Sequence, residues 1–206
     1  MIAILDCPVG ESAGIKEAFG AIGAEAELTD SIDGLQRAAK IVLPPGASFP
    51  RTIRCLRDRG LVGSLIRAAD QGRHLLGIGQ GLHLLFDVSH EAGQHTGLGL
   101  IPGKVTPFDL AGHPVAAQTV LPHQGWGQVR WTSNCPLFTG LVSGEYFYFE
   151  HSCYAEPLDE RLVAAECTHG IDFSAAVWRG NVFATQFLPE KSNEAGLRVL
   201  ANFASL

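Results

Sequence analysis

Short apolar runs alternate with amphipathic stretches over the first ninety residues of the chain. The runs Ile2–Leu5 and Ile41–Leu43 are apolar throughout, which is typical of strands buried on both faces of a parallel sheet. Helical spacing separates such runs, with one helix opening at Ser12 and another over 51–69 that breaks near Gly60. The remaining predicted elements here are strands over 24–28 and 73–78 and helices over 31–39 and 80–87. This alternation predicts a mostly parallel central sheet flanked by helices.

The pattern changes after Gly97, where short β-like runs follow one another with turn residues between them. A final helix is predicted over 193–204. The predicted strands are 105–108, 115–120, 127–131, 146–150, 162–167, 173–178 and 182–187. This half predicts an antiparallel extension of the parallel sheet. No linker, repeat or low-complexity stretch divides the chain, so we expect a single domain over 1–206.

Composition narrows the class of protein. Hydrophobic residues make up 46% and charged residues 17% of the 206 residues, which excludes global disorder. The formal net charge of −6 argues against nucleic acid as the main partner, and no apolar run approaches the length of a membrane span. The start, MIAILDCPVG, lacks a signal peptide's cationic leader, and the five cysteines have no regular spacing. We therefore expect reduced thiols and a cytoplasmic location.

The stretch LLGIGQGLH over 75–83 is the most informative in the sequence. A buried strand ends there in a glycine-dense turn that opens a helix, the arrangement of a nucleophile elbow. The helix dipole and free N–H groups at such a turn favour an anion or a thiolate. The central position is Gly79, which has no side chain. The turn therefore predicts the geometry of an elbow without a nucleophile.

Five ordered motifs resemble those of class I (triad) glutamine amidotransferases, and most closely the glutaminase subunits of imidazole glycerol phosphate synthases of histidine biosynthesis. The resemblance covers essentially the whole chain. Its motifs are GIGQGLHLLF over 77–86, GLGLIPGKV over 97–105, LPHQGW over 121–126, HS over 151–152 and QFLPEKS over 186–192. The resemblance implies the α/β, flavodoxin-like fold of that family: a mostly parallel central sheet flanked by helices, with an antiparallel extension.

The departures from the family pattern fall on the catalytic residues. The family's Cys–His–Glu triad makes Cys a nucleophile that the His serves as base. By resemblance, Gly79 holds the position of the nucleophile, Leu188 that of the base, and Glu190 is retained. The other implied pocket and oxyanion-loop residues are Gly46, Ala47, Ser48, Gln80, His83 and Ser152. His83 replaces a substrate-gripping Gln and Cys153 an aromatic residue of the family, so glutamine hydrolysis by the usual route is not expected.

The resemblance also implies a partner. In the family, the region of His123, Gln124 and Trp126 meets a (β/α)8 cyclase subunit. The first hypothesis is therefore a non-catalytic or regulatory subunit of an ammonia-using synthase, with no cofactor and no metal. Packing of Trp126 in the chain's own core is the competing interpretation. A Leu at 188 is expected to make the vacated pocket drier and more apolar.

Two other functions remain open from the sequence. An active amidohydrolase with a non-standard nucleophile would use Cys153 or Cys7, although Cys153 is expected to lie away from the elbow. A metabolite sensor would use the vacated pocket between Gly79, Leu188, His83 and Ser48. Weaker alternatives are a nucleotide-binding turn at 77–81, metal ligation by His83, His90, Glu91 and His95, a surface or capping role for Glu190, and a helical His83–Asp87 hydrogen bond.

Overall fold

The computed structural model describes residues 1–7, 11–46, 48–111 and 119–206. Six helices lie within these ranges: α1 (Ser12–Ala21), α2 (Ile32–Arg37), α3 (Phe49–Asp58), α4 (Leu61–Asp70), α5 (Gln80–Leu84) and α6 (Asn193–Ser205). The strands are β1 (Ile2–Leu5), β2 (Ala26–Thr29), β3 (Lys40–Leu43), β4 (His74–Ile78), β5 (Phe86–Ser89), β6 (His95–Thr96), β7 (Ile101–Pro107), β8 (His123–Trp131), β9 (Tyr146–His151), β10 (Cys153–Pro157), β11 (Val163–His169), β12 (Ile171–Arg179) and β13 (Val182–Thr185).

The larger sheet has nine strands in the order β2-β1-β3-β4-β13-β12-β11-β8-β9. Its first five strands pair in parallel, and β1, β3 and β13 are buried along nearly their whole length. The sequence prediction of a parallel sheet built from continuous apolar runs is therefore confirmed. The aligned carboxyl ends of β3, β4 and β13 place the loops that follow them at one edge of the sheet.

The strands β12, β11, β8 and β9 continue this sheet in antiparallel fashion, as predicted. A second, four-stranded sheet in the order β10-β7-β5-β6 was not anticipated. Two apolar clusters pack the molecule, and Phe19, Phe203 and Phe49 are among their fully buried side chains. In the described ranges no helix is long and apolar enough to cross a membrane.

The predicted helix over 80–87 is too long. It ends at Leu84, and Phe86–Ser89 instead forms β5 beside β7. The reason is tertiary: Leu98 N–H donates to the Leu84 carbonyl and Leu100 N–H to the Leu85 carbonyl, so the returning chain takes the bonds that a longer helix would use. The predicted strand over 115–120 falls mostly on 112–118, outside the described residues, and 119–120 is not in a strand.

Candidate functional site

Gly79 forms the turn between β4 and α5. Its backbone has φ +55° and ψ −115°, a conformation that L side chains rarely adopt, and its N–H donates to the Thr185 carbonyl at 2.8 Å. A Cβ placed on Gly79 would lie 3.0 Å from Leu188 Cδ2 and 3.3 Å from Pro45 Cβ. The backbone thus has the shape of a nucleophile elbow, and Leu188 packs against the position where a side chain at residue 79 would begin.

The elbow depends on a close approach of α5 to β3. A Cβ at Gly81 would lie 2.0 Å from the Leu43 carbonyl oxygen, so no larger residue fits without moving backbone. This contact explains the glycine density of the turn by packing. The alternative interpretation of 77–81 as a nucleotide-binding turn gains no support from this geometry.

Leu188 and Glu190 follow β13 at the same sheet edge. Leu188 is 3% exposed and its N–H donates to the Tyr148 carbonyl at 2.8 Å. Both carboxyl oxygens of Glu190 are buried, and neither makes a hydrogen bond within the described residues. Burial raises the pKa of Glu190 to about 7, an effect that the Lys191 ammonium only partly offsets. Glu190 is therefore a partly exposed residue whose carboxyl oxygens are shielded from solvent and make no capping hydrogen bond within the described residues.

A cavity of about 440 Å³ opens in front of the elbow. Leu188, Gly79 and Pro45 contribute apolar surface to it. Its other lining residues are mostly polar or acidic: Glu11, Gln80, His83, Glu91, Glu150, His151, Ser152 and Gln186. The cavity therefore has both polar and apolar walls, with Leu188 on an apolar one, and the expectation that Leu188 makes the pocket drier stays a prediction.

The Lys191 ammonium joins two of the acidic side chains at the cavity. It lies 3.0 Å from Glu11 Oε2 and 3.2 Å from Glu150 Oε2. Glu91 accepts a hydrogen bond from the Phe49 N–H at the start of α3, at 3.0 Å. The sequence analysis missed Glu11, Glu150 and Gln186 as cavity residues. For Gln186 a signal existed, since it begins the QFLPEKS motif.

His83 lies on the buried face of α5. Its Nε2 is 2.8 Å from Gln186 Oε1, so the imidazole N–H donates to the amide oxygen. Burial lowers the pKa of His83 to about 4, which keeps the ring neutral at pH 7. The expected hydrogen bond to Asp87 is wrong, because Asp87 lies in β5 and its Oδ2 accepts from the Gly103 N–H at 2.9 Å.

The predicted oxyanion-loop residues separate in the structure. Gly46 and Gln80 line the cavity, and Gln80 Oε1 accepts a hydrogen bond from Thr52 Oγ1 at 2.9 Å. Ser48 is not among the cavity residues but forms the N-cap position of α3. Ala47 lies outside the described residues.

Cys153 lies closer to the elbow than expected. It lines the same cavity as Gly79, beside the exposed Ser152, so the prediction that it lies away from the elbow is wrong. The β9–β10 connection brings it there from the antiparallel half of the molecule. Burial and the Glu91 carboxylate raise the pKa of the Cys153 thiol to about 11, so it is protonated at pH 7.

His123 belongs to a buried imidazole cluster. Its Nδ1 is 3.1 Å from His151 Nε2, and its ring stacks on His169 with centroids 3.9 Å apart. His151 Nδ1 donates to the Cys153 carbonyl at 2.8 Å, which makes His151 Nε2 the acceptor of the His123 N–H. Burial lowers the pKa of His123 to about 4 and that of His151 well below its usual value. His123 is 4% exposed and faces inward, so its side chain is not available for direct contact with a partner.

Gln124 and Trp126 alternate with His123 along β8 and lie on the outer surface. Trp126 is 49% exposed and packs edge to face on Tyr148. It is therefore not enclosed in the core. Exposed apolar side chains nearby in sequence or on the neighbouring strand β9 are Val120, Leu121 and Tyr146.

The residues weighed as metal ligands do not converge. His83 is bonded to Gln186, Glu91 to the Phe49 N–H, and His95 to the Ala92 carbonyl. Within the part of the chain that the structure describes, no group of three or more His, Cys, Asp or Glu side chains is arranged to hold a metal ion.

The elbow, its sheet and the whole length of the chain fit one family. The family described as "Glutamine amidotransferase class-I" matches residues 4–205. The chain therefore belongs to the class I glutamine amidotransferases.

Among the curated relatives, the imidazole glycerol phosphate synthase subunit HisH of Syntrophotalea carbinolica is 42% identical over all of both chains. The HisH subunit of Geobacter sulfurreducens is 38% identical over 100% of this chain and 98% of its own. The fold also matches a crystal structure titled glutamine amidotransferase, with TM-score 0.76 and 19% identity over 100% of this chain and 99% of that one. A PurLQS structure from Thermotoga maritima matches with TM-score 0.75 and 18% identity over 99% and 97%.

Proposed function

We propose that this chain is the glutaminase-type subunit of an imidazole glycerol phosphate synthase that has lost glutamine hydrolysis and acts as a non-catalytic or regulatory partner. The observation that carries this proposal is the pairing of Gly79 at the centre of the elbow with Leu188 in front of it. The similarity to HisH subunits over the full length supports the synthase assignment. We also propose that residues 1–206 form one amidotransferase-like domain and that the protein acts in the cytoplasm.

The chemistry of amide hydrolysis explains why these two positions matter. A thiolate attacks the amide carbon and the C–N bond breaks. The residue that first accepted a proton as general base then acts as general acid and protonates the departing ammonia. Gly79 offers no atom for the attack and Leu188 none for the proton transfer. Glu190 orients a base in such a triad, and here it has no base to orient. Loss of nucleophile and base together removes many orders of magnitude in rate.

A substitute nucleophile is the main competing enzyme hypothesis. Cys153 is the thiol at the cavity, and its raised pKa of about 11 leaves it protonated at pH 7. Cys7 borders a small apolar gap beneath Pro45 and Gly46 rather than the cavity, and burial raises its pKa to about 12. If either were a nucleophile, iodoacetamide would label it at pH 7 and glutamine would protect it. We expect neither protection nor labelling of Cys153.

The partner we propose is a (β/α)8 cyclase subunit, bound through the exposed face of β8 and β9. Trp126 is half exposed there and Gln124 lies beside it. On the inner side of β8, His123 is hydrogen-bonded to His151 of β9. A large aromatic residue on a sheet surface is the type of side chain that dominates binding energy at interfaces. The bound subunit would stabilise the barrel or close its ammonia entrance, and the cyclase would take free ammonia.

The test is complex formation measured by calorimetry with the cyclase subunit from the same organism. We expect binding, and a loss of about tenfold or more in affinity for Trp126→Ala. Leu158→Ala, at an 80% exposed position at the end of β10, is the matched control and should bind normally. Absence of binding by the unaltered chain contradicts the partner, and equal affinity of both variants contradicts the surface.

A second candidate function is binding of a small metabolite in the cavity without turnover. The specific observation in its favour is a 440 Å³ space lined by three glutamates and by the His83–Gln186 pair. A ligand that binds only the folded state raises the melting temperature. Stabilisation by amino acids, amides or amines would support this role, and no stabilisation by any of them would count against it.

A further inference from the structure

Two of the five cysteines lie against each other, 48 residues apart in sequence. Cys7 follows β1 and is 4% exposed, and Cys55 lies in α3 and is partly exposed. The Cys55 thiol donates a hydrogen bond to Cys7 with the two sulfurs 2.9 Å apart. Within the described part of the chain, no other two cysteine sulfurs are in hydrogen-bond contact.

The distance matters because a disulfide bond is about 2.05 Å long. Closing the remaining separation, less than roughly 1 Å, requires side-chain rotation and no rearrangement of elements. The Arg59 guanidinium, one turn after Cys55 on the same helical stretch, bonds to the Asp6 carbonyl at 3.3 Å and places a cation next to the pair. The Arg59 cation lowers the pKa of Cys7 and the Asp6 carboxylate raises it, so the two charges oppose each other at the pair.

We propose that Cys7 and Cys55 are a site of reversible oxidation, at which hydrogen peroxide converts the two thiols into an intramolecular disulfide that ties α3 to the end of β1. This role is separate from glutamine chemistry and from the cavity ligand. It goes beyond the expectation that all five thiols are reduced, because it assigns these two residues an oxidised state as well.

The two cysteines differ in their suitability for the two steps. Burial and the neighbouring Cys55 raise the pKa of Cys7 to about 12, so the Cys7 thiol stays protonated at pH 7. The partly exposed Cys55 is the sulfur that a peroxide reaches first. The Cys55 thiol gives up its proton and its sulfur attacks one peroxide oxygen, the O–O bond breaks, and the departing hydroxide takes up that proton, which yields Cys55 sulfenic acid and water.

Cys7 then resolves this intermediate. Its sulfur attacks the Cys55 sulfur, the S–O bond breaks, and the hydroxyl group leaves as water with the Cys7 proton. Two thiols lose two electrons in total, and one peroxide is reduced to two molecules of water. Because the sulfurs are already in contact, this second step should outrun oxidation of Cys55 to the sulfinic acid.

The disulfide would lie beneath one wall of the cavity. Cys7 packs with Pro44, Pro45 and Gly46 around an apolar gap of about 10 Å³. Pro45 and Gly46 line the large cavity on their other side. Oxidation would therefore hold in place the residues on which the loop of Pro45 and Gly46 packs. The cross-link would also raise Tm by about 5–10 °C, because it lowers the conformational entropy of the unfolded chain.

The experiment treats the purified, reduced full chain with hydrogen peroxide and counts free thiols before and after addition of dithiothreitol. We expect the count to fall from five to three, a mass loss of roughly 2 Da, and a linked Cys7–Cys55 peptide, all reversed by reductant. The buried Cys135, Cys153 and Cys167 are internal controls and should remain free.

Two variants separate the roles of the pair. Cys55→Ser, at the more exposed position, should retain its four thiols under the same peroxide. Cys7→Ser should let dimedone trap a sulfenic acid on Cys55. Retention of five thiols by the unaltered chain, a link involving any other cysteine, a link between two chains, or direct conversion of Cys55 to a sulfinic acid would each overturn the proposal.

Discussion

Replacing Glu190 with glutamine tests whether its shielded carboxyl group lowers the stability of the fold when it is charged. The Glu190 carboxyl group is buried with no hydrogen bond from the described residues, and its pKa rises to about 7. Glu190→Gln keeps the shape of the side chain and removes its ionisation. We therefore expect the variant to be more stable than the unaltered chain wherever the carboxyl group would be charged.

The sign and size follow from linkage. The folded pKa, about 7, lies above the ordinary value of 4.5, so the folded state holds the proton more tightly. Stability contributed by this proton is fully present below pH 4.5 and is lost as the pH rises through 7. At 1.36 kcal/mol per pKa unit, the full loss is about 3 kcal/mol. Glu190→Gln should recover most of it at pH 8 and almost none at pH 4.5.

The assay is urea unfolding of both proteins at pH 4.5, 6 and 8, with the free energy of unfolding compared at each pH. The exposed Glu27→Gln on β2 is the control for removing one negative charge and should change stability by less than about 0.5 kcal/mol. A gain for Glu190→Gln that is independent of pH, or no gain at pH 8, would refute the reasoning.

Two further predictions concern the buried histidine and the elbow. Because the folded pKa of His83 is lowered to about 4, stability should fall as the pH drops from about 6.5 to 4, and His83→Gln should reduce that fall by up to about 3 kcal/mol in urea titrations. The control His90→Gln, at an exposed position, should leave this acid-induced loss of stability unchanged. The same pH dependence of stability for His83→Gln and the unaltered chain would contradict the prediction. Gly81→Ala should cost more than about 3 kcal/mol or prevent folding, because its Cβ meets a carbonyl oxygen, while Gly20→Ala, in open space on α1, should be neutral or stabilising by about 0.5 kcal/mol in thermal unfolding.

Most of the parallel half was predictable because its strands are continuous apolar runs and its helices are amphipathic. The helix over 80–87 was misjudged because its local spacing is helical to Asp87 while β7 competes for Phe86–Ser89 through tertiary pairing. The second sheet was missed for the same reason. Strand partners far apart in sequence, such as Cys153 with Pro107, leave no local periodic signal.

For the site, the motifs located the elbow and the loop after β13, because fixed spacing along the chain carries that information. They could not locate side chains that converge from separate elements. Cys153 reaches the cavity through the β9–β10 connection, and His123 turns inward because alternate residues of β8 face opposite sides. The contact between Cys7 and Cys55 joins residues 48 positions apart and likewise depends on the fold.

The most direct measurement is release of ammonia from glutamine by the unaltered chain and by Gly79→Cys/Leu188→His, each with the cyclase subunit and its ligand bound. The double substitution supplies a thiol at the elbow and a base beside Glu190, and Leu188→His also removes the methyl group that would lie 3.0 Å from the new Cβ. The proposed loss of chemistry predicts no release above the protein-free rate for the unaltered chain and measurable turnover for the double variant. Turnover by the unaltered chain, abolished by Cys153→Ser, would contradict it.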